Sequence, residues 1–316
     1  MSKLVIIDND CGIDDAWALN FLLNLDKSIK ILAITCVDGN TGVDNVIKNN
    51  LYFLKMAGRC EIPVYRGAAS HLLPGNDHSV APSHTYFHGI NGFGDVSLPD
   101  LPDVCQEKEE NAVAILNELT SKHKGEISII CCGPLTNVAL ALRTYPHFKE
   151  NVKDLYIMGG NYTGKGNITM TAEFNFYWDP EAAFIVLSEL ENKIVLLPWE
   201  TCLSVNVPFK WREELGSNGG KLMSLLNKIE EPIVLRTSKL GYTHWISADQ
   251  LLAAIFINKD LIKESRSVHA TVELMGLLTR GQVVIDHLNV HKPNIMLITE
   301  VDTDLYKEML LTLKKF

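Results

Sequence analysis

Four aspartates fall within eight residues near the start of the chain, in the stretch LVIIDNDCGIDDAWAL from Leu4 to Leu19. Asp8 and Asp10 close an apolar run. Asp14 and Asp15 follow in what reads as the first turn of a helix. Carboxylates this close raise one another's pKa and repel. A helix N-terminus stabilises negative charge by about 0.3–1 kcal/mol for each group. Capping therefore accounts for one or two of the four. The better counter-charge for the set is a hard divalent cation, because oxygen-rich sites suit calcium or magnesium.

The elements that must position these groups are readable. LVIID (4–8), KILAITCV (30–37), EISIICC (126–132), VKDLYIM (152–158) and NKIVLLP (192–198) are short, continuously apolar runs, as expected of strands buried on both faces. Helical patterns lie between them, at about 12–25, 41–58, 109–124, 135–143 and 180–190. Strand–helix alternation predicts an α/β fold: a doubly wound, mostly parallel sheet with helices on both faces. Such sheets bind ligands at the carboxyl ends of their strands, where the aspartates sit. After residue 200 a mostly helical stretch runs to about 257, with Pro208 and Pro232 near expected helix starts. Strand-like runs follow at 267–275 and 292–299. No linker or repeat divides the chain, so residues 1–316 read as one domain with a helical elaboration in the C-terminal half.

Composition narrows the function. A net charge of -9, with no basic run to reverse it, argues against nucleic acid as a partner. No window approaches the roughly 18 apolar residues of a membrane helix, so no membrane partner is expected. The first residues, MSKLVIIDND, turn acidic too soon for a signal peptide. The seven cysteines are scattered, odd in number and without a CxxC pair, and read as reduced, mostly buried thiols of a cytoplasmic protein. The stretch from Arg66 to about Leu101 is too long for an ordinary connection and reads as a lid or binding loop. It carries His71, His78, His84 and His88.

DNDCGIDDA resembles the DxDxGxDDA signature of the nucleoside hydrolases, the inosine–uridine type of nucleoside N-ribohydrolase. Later segments resemble the same family in the same order: ITCVDGN (34–40), FHGINGFGD (87–95), CGPLTNVALAL (132–142), IMGGNYTGKGN (157–167), TAEFNFYWDPEAA (171–183) and SADQLLAA (247–254). The resemblance implies the nucleoside hydrolase fold and a calcium-dependent hydrolysis of ribonucleosides to free base and ribose. It also implies a homodimer or homotetramer. By matching positions, Asp10, Asp15 and Asp249 would ligate Ca2+, with the main-chain oxygen of Cys132 as a further ligand. Asp14 and Asn175 would hold the ribose 2′ and 3′ hydroxyls with Asn40 nearby, and Asn167 and Glu173 would reach the 5′ hydroxyl. Asp8 would support the site from behind. Asp10 is the expected general base.

The chemistry of the residues agrees with that implication. N-glycoside cleavage passes through an oxocarbenium-like sugar and needs an activated water, a sugar clamp and help for the leaving base. Glu173 and Asn175 lie two apart, so on an extended segment they would share a face. Asp179 and Pro180 read as a helix start, not as chemistry. The chain departs from the family where some members carry a base-assisting histidine and others an aromatic residue, because Ala248 stands there. His88, His244, Tyr86, Phe87 and Trp245 are the candidates to replace it, with His88 and His244 as candidate acids. Two alternatives remain at this stage. One is a catalytically inactive calcium-binding relative. The other is a phosphatase of the haloacid dehalogenase type, with Asp8 as nucleophile.

Overall fold

The structure, a computed structural model, describes residues 2–73, 87–101 and 105–316. His78, His84 and Tyr86, and with them the middle of the expected lid, lie outside the described residues.

Nine strands form the central sheet. From one edge they run β10 (Ile262–Val268), β13 (Ile295–Val301), β7 (Ile194–Leu197), β6 (Asp154–Met158), β5 (Ile127–Cys131), β1 (Lys3–Asn9), β2 (Ile29–Cys36), β3 (Val64–Arg66) and β4 (Glu107–Lys108). Every pairing is parallel except that of β10 with β13. The chain builds outward from β1 through β2 to β4, then returns to the other side of β1 with β5. The order therefore reverses between β1 and β5, where an open α/β sheet leaves a crevice. Asp8 pairs with Cys131 across that reversal.

The period of two in β1 explains how one strand serves two cores. Val5 and Ile7 join the core that packs α1 (Ile13–Asn24), α2 (Val43–Ala57) and α11 (Asp249–Ile257). Ile6 joins the opposite core, with α3 (Ala112–Lys122), α4 (Thr136–Thr144), α5 (Phe148–Asn151) and α7 (Pro180–Glu189). Each such side chain, fully buried, contributes about 1.5–3 kcal/mol. Asp8 and Asp10 continue the alternation past the apolar stretch, and both are fully buried.

The helical elaboration consists of α8 (Trp199–Ser204), α9 (Phe209–Gly216) and α10 (Lys221–Lys239), with a two-stranded ribbon of β8 (Val207–Pro208) and β9 (His244–Trp245). The chain ends in α12 (Thr303–Leu313).

Four expectations are corrected. Pro208 does precede a helix, but Pro232 lies inside α10, where it removes one backbone hydrogen bond without ending the helix. The run 267–275 is not one strand: it divides between the end of β10 and β11 (Ala270–Val272), which pairs with β12 (Val283–Ile285) as a hairpin on α7. Glu173 and Asn175 are not on extended chain, because Glu173 is the N-cap of the short helix α6 (Phe174–Trp178). The cysteines are not all reduced: Cys60 and Cys105 are joined in a disulfide, while the other five are free and buried. Sequence spacing of 45 residues gave no sign of that pairing, which the fold creates by setting Cys105, just ahead of edge strand β4, beside the turn after α2.

Candidate active site

Between β1 and α1 the chain turns sharply, with Cys11 at a positive φ of 36°. Gly12 caps α1, and its N–H donates to Asp15 Oδ2 at 2.7 Å. Asp15 thereby reaches back across the helix start, as an acidic third residue commonly does. The carboxyl groups of Asp10 and Asp15 are close enough to shift one another's titration. Asp10 is held by Asn40, whose backbone N–H donates to Oδ2 at 2.7 Å and whose side chain donates to Oδ1 at 3.1 Å. Gly39 must be glycine here, because a Cβ would stand 2.1 Å from Asp10 Oδ2.

Asp8 lies deeper. Thr35 Oγ1 donates to its Oδ2 at 2.6 Å and Asn137 Nδ2 at 2.9 Å. Asn137 also donates to the Cys36 carbonyl and accepts from Ala68 N–H, so it ties β1, β2 and the chain after β3 together. Burial pushes the Asp8 carboxyl up to about 7, against the pull of those two donors. Asp8, Asp10 and Asp15 are all buried and none of them lines the cavity, which Asp14 and Asp249 reach.

Asp249 opens α11, and α11 packs on α1, so its carboxyl meets that of Asp15 from a distant part of the chain. Ligand atoms of Asp15, Asp249 and the Cys132 thiol lie within 4.8 Å of one another. Burial, first of all, and the neighbouring carboxylates push the carboxyls of Asp10, Asp15 and Asp249 well above the ordinary range. Burial likewise holds the Cys132 thiol protonated. The Cys132 carbonyl accepts from Asn175 Nδ2 at 3.2 Å.

Four buried carboxylate oxygens, one each on Asp8, Asp14, Asp15 and Asp249, have no hydrogen-bond partner. Among the described residues no lysine or arginine forms an ion pair with any of the four. Buried unpaired carboxylates are costly, and a bound cation satisfies them without a protein counter-charge. The donor set is mostly hard oxygen and fits calcium better than a thiolate-seeking metal.

Above this cluster lies a cavity of about 370 Å³. Asp14, Asn40, Asn167, Glu173, Asn175, Cys132 and Asp249 all line it. Glu173 is spent largely on structure. Its oxygens accept from Gly160, Asn175 and Phe176 N–H groups, the last two capping α6. Burial pushes its carboxyl up to about 7 all the same. Apolar and aromatic side chains also line the cavity, among them Phe87, Ile233, Val234, Tyr242, Trp245 and Ile246. Trp245 is fixed there, since its indole N–H donates to Glu230 Oε1 at 2.5 Å and Glu230 pairs with buried Arg212 at 2.6 Å.

His88 lines the cavity, but His244 is not among the lining residues. Its ring nitrogens face Thr243 Oγ1 and the Leu203 carbonyl instead. Sequence reasoning gave no role to Asn137, Tyr242 or Gln250. Asn137 and Gln250 sat inside quoted motifs, whereas Tyr242 carried no signal of its own.

The profile described as inosine-uridine preferring nucleoside hydrolase matches residues 5–308 of this chain. An uncharacterized protein of Schizosaccharomyces pombe is 33% identical over 314 residues, covering 97% of either chain. The inosine-uridine preferring nucleoside hydrolase of Leishmania major is 31% identical over 291 residues, covering 90% of this chain and 88% of its own. Among solved structures, an inosine-guanosine nucleoside hydrolase superposes with a TM-score of 0.89 at 26% identity, covering 99% of both chains. The chain belongs to the inosine-uridine nucleoside hydrolase family. It is an enzyme that hydrolyses the N-glycosidic bond of ribonucleosides, and the phosphatase alternative falls with that assignment.

Proposed function

We propose that this enzyme is calcium-dependent, with Asp10, Asp15, Asp249 and the Cys132 carbonyl as its ligands to Ca2+. The observation that carries the proposal is the set of partnerless carboxylate oxygens beneath a cavity lined by sugar-binding residue types. Calcium, when bound, supplies positive charge that orients sugar hydroxyls and makes a water more acidic.

The chain's own residues do the rest. Asp10 is held in place by two hydrogen bonds from Asn40, one to each carboxylate oxygen. It takes the proton of the attacking water as oxygen bonds to C1′. The bond to the base nitrogen breaks, and its electron pair leaves with the base. Asp14, Asn40 and Asn175 engage the 2′ and 3′ hydroxyls, and Asn167 and Glu173 the 5′ hydroxyl. A substrate lacking one hydroxyl leaves a buried polar group unpaired and is rejected. The wall of Phe87, Tyr242 and Trp245 offers ring faces to the base.

The same reading includes a homodimer or homotetramer. Exposed apolar side chains around the β11–β12 hairpin support it: Met275, Leu277 and Leu278 in its connecting loop, Val284 on β12, and Leu288 and Val290 after it. The five free buried thiols and the acidic charge support a cytoplasmic setting, and the Cys60–Cys105 bond weighs against it.

The test is direct. The purified protein is incubated with inosine, adenosine, guanosine, uridine and cytidine, with and without a chelator, and released reducing sugar is measured beside an Asp10→Ala control. Ribose release that is lost with chelation and in the variant supports the proposal. Release that survives chelation overturns the calcium requirement.

A further inference from the structure

The sequence casts His88 as an acid for the leaving base, but its ring is set up for something else. The backbone N–H of Ile13 donates to His88 Nδ1 at 3.2 Å. A backbone amide can only donate, so Nδ1 must be the bare acceptor nitrogen, and the ring proton sits on Nε2. Nε2 faces Asp14 Oδ1 at 3.6 Å, and that oxygen is one of the buried ones with no other partner. The separation is slightly too long for a hydrogen bond, the usual state of a site whose contacts tighten around substrate.

The ring has little freedom to do otherwise. Its side chain is 11% exposed, and Phe87 packs its ring edge-on at 5.0 Å. The His88 carbonyl accepts from Gly94 N–H at 2.7 Å, and the Phe87 carbonyl from Arg236 at 2.8 Å. Gly12 leaves room for the ring, since a Cβ there would meet His88 Cγ at 3.0 Å.

To act as a general acid with Nε2, the imidazole needs a second proton on Nδ1. That proton would point at the Ile13 N–H, setting two donors face to face. Burial also disfavours the charged ring, opposed by the Asp14 carboxylate.

We propose that His88 is a positioning residue. Through Nδ1 it caps the first free N–H of α1, and through Nε2–H it holds the Asp14 carboxylate in line with the ribose diol. This rests on the reading that Asp14 binds ribose. The structure thus assigns His88 to sugar discrimination and leaves proton delivery to the base to other groups.

The test compares His88→Gln with His88→Phe in the calcium-loaded enzyme. A Gln amide has an oxygen that can accept from Ile13 and an N–H that can donate to Asp14, but it cannot serve as an acid. The readout is the ratio of kcat/KM for a ribonucleoside to that for its 2′-deoxy analogue. His88→Gln should keep this ratio and most of kcat. His88→Phe should lower the ratio about ten- to a hundredfold, the scale of one hydrogen bond to a charged group. If both variants lose kcat alike while the ratio stands, His88 is an acid and the proposal is overturned. A second measurement needs no turnover. The imidazole ¹⁵N spectrum at pH 7, with the His88 signals identified by their loss in His88→Gln, should show the neutral Nε2–H tautomer. An Nδ1–H tautomer or an imidazolium overturns the proposal. If the wild type releases no ribose yet shows the Nε2–H tautomer, the substrate reading fails while the placement of His88 holds.

Discussion

Replacing Asp249 by Asn should invert the order of stability between two solutions. In chelator, wild type carries Asp249 and Asp15 with ligand atoms within 4.8 Å and no cation between them. At an effective dielectric of about 20, two full charges at that distance repel by roughly 3 kcal/mol. The repulsion is partly relieved by proton uptake, because burial and then Asp14, Asp15 and Asp10 push the Asp249 carboxyl well up. The variant should therefore be more stable than wild type in chelator, by at most about 3 kcal/mol. With calcium the sign turns. Ligand at a thousandfold excess over Kd stabilises wild type by about 4 kcal/mol, and the variant lacks one of three charged ligands. At roughly 2 °C per kcal/mol for a chain of this size, wild type should gain about 8 °C in Tm from calcium. Asp249→Asn should gain almost nothing. The assay is thermal unfolding of both proteins in chelator and in millimolar calcium. A variant less stable than wild type in both solutions, or a wild type indifferent to calcium, would show that the unpartnered carboxylates are not a cation cradle.

Three further perturbations separate the parts of the site. Asp10→Asn keeps its bulk and one acceptor but loses the base, so kcat should fall by about 10²–10⁴-fold with the fold intact by circular dichroism. Glu173 titrates near 7 when folded against an ordinary 4.5, so the folded chain holds a proton that the unfolded chain has lost across that window. Stability should consequently fall as pH rises from about 4.5 to 7, by up to about 3 kcal/mol, and Glu173→Gln should flatten that part of the slope in denaturant titrations. An unchanged slope would remove Glu173 as its source. Arg212→Met leaves Glu230 buried without its partner and should cost about 3–5 kcal/mol. It should also alter the ranking of bases, because Trp245 hangs on the same carboxylate.

How far the sequence reveals this site depends on which groups are held by backbone and which by long-range packing. The five strands named from continuous apolar runs all form, with ends within two residues, because burial on both faces keeps their middles mostly apolar. Asp8, Asp10, Asp14 and Asp15 are placed by the end of β1 and the start of α1, so their neighbourhood is local and legible. Asp249 is legible only through resemblance, since nothing in SADQ indicates that α11 will lie on α1. Glu173 misled in a different way. AEFN reads as extended chain, and glutamate is not among the favoured N-cap residues, yet Glu173 caps α6 by accepting from the Asn175 and Phe176 N–H groups. Pro232 misled because proline is only a probable helix boundary, and tertiary packing carried α10 through it. The disulfide was invisible for the reason that any pairing between distant cysteines is: spacing does not fix which Cα atoms the fold brings together.

The same division separates what the site shares from what it selects. In the proposed reading the cation and ribose groups come from the end of β1, the starts of α1 and α11, α6 with its N-cap, and the irregular chain that carries Asn40, Cys132 and Asn167. The base end comes from Phe87, from α10 and from the chain around the short β8–β9 ribbon. These side chains lie outside the nine-stranded sheet, Trp245 on the small ribbon where it pairs with Val207. Glu230 shows the consequence. It is cavity-lining and acidic, yet both its oxygens are already engaged, by Trp245 and Arg212. In the proposed reading it therefore acts on the base through the tryptophan it fixes. In the proposed reading Ala248 supplies no polar group, and the ring faces discriminate by only about 1–3 kcal/mol per group. The sugar end discriminates by buried hydrogen bonds and is far stricter. A domain built this way should be exacting about ribose and tolerant about bases.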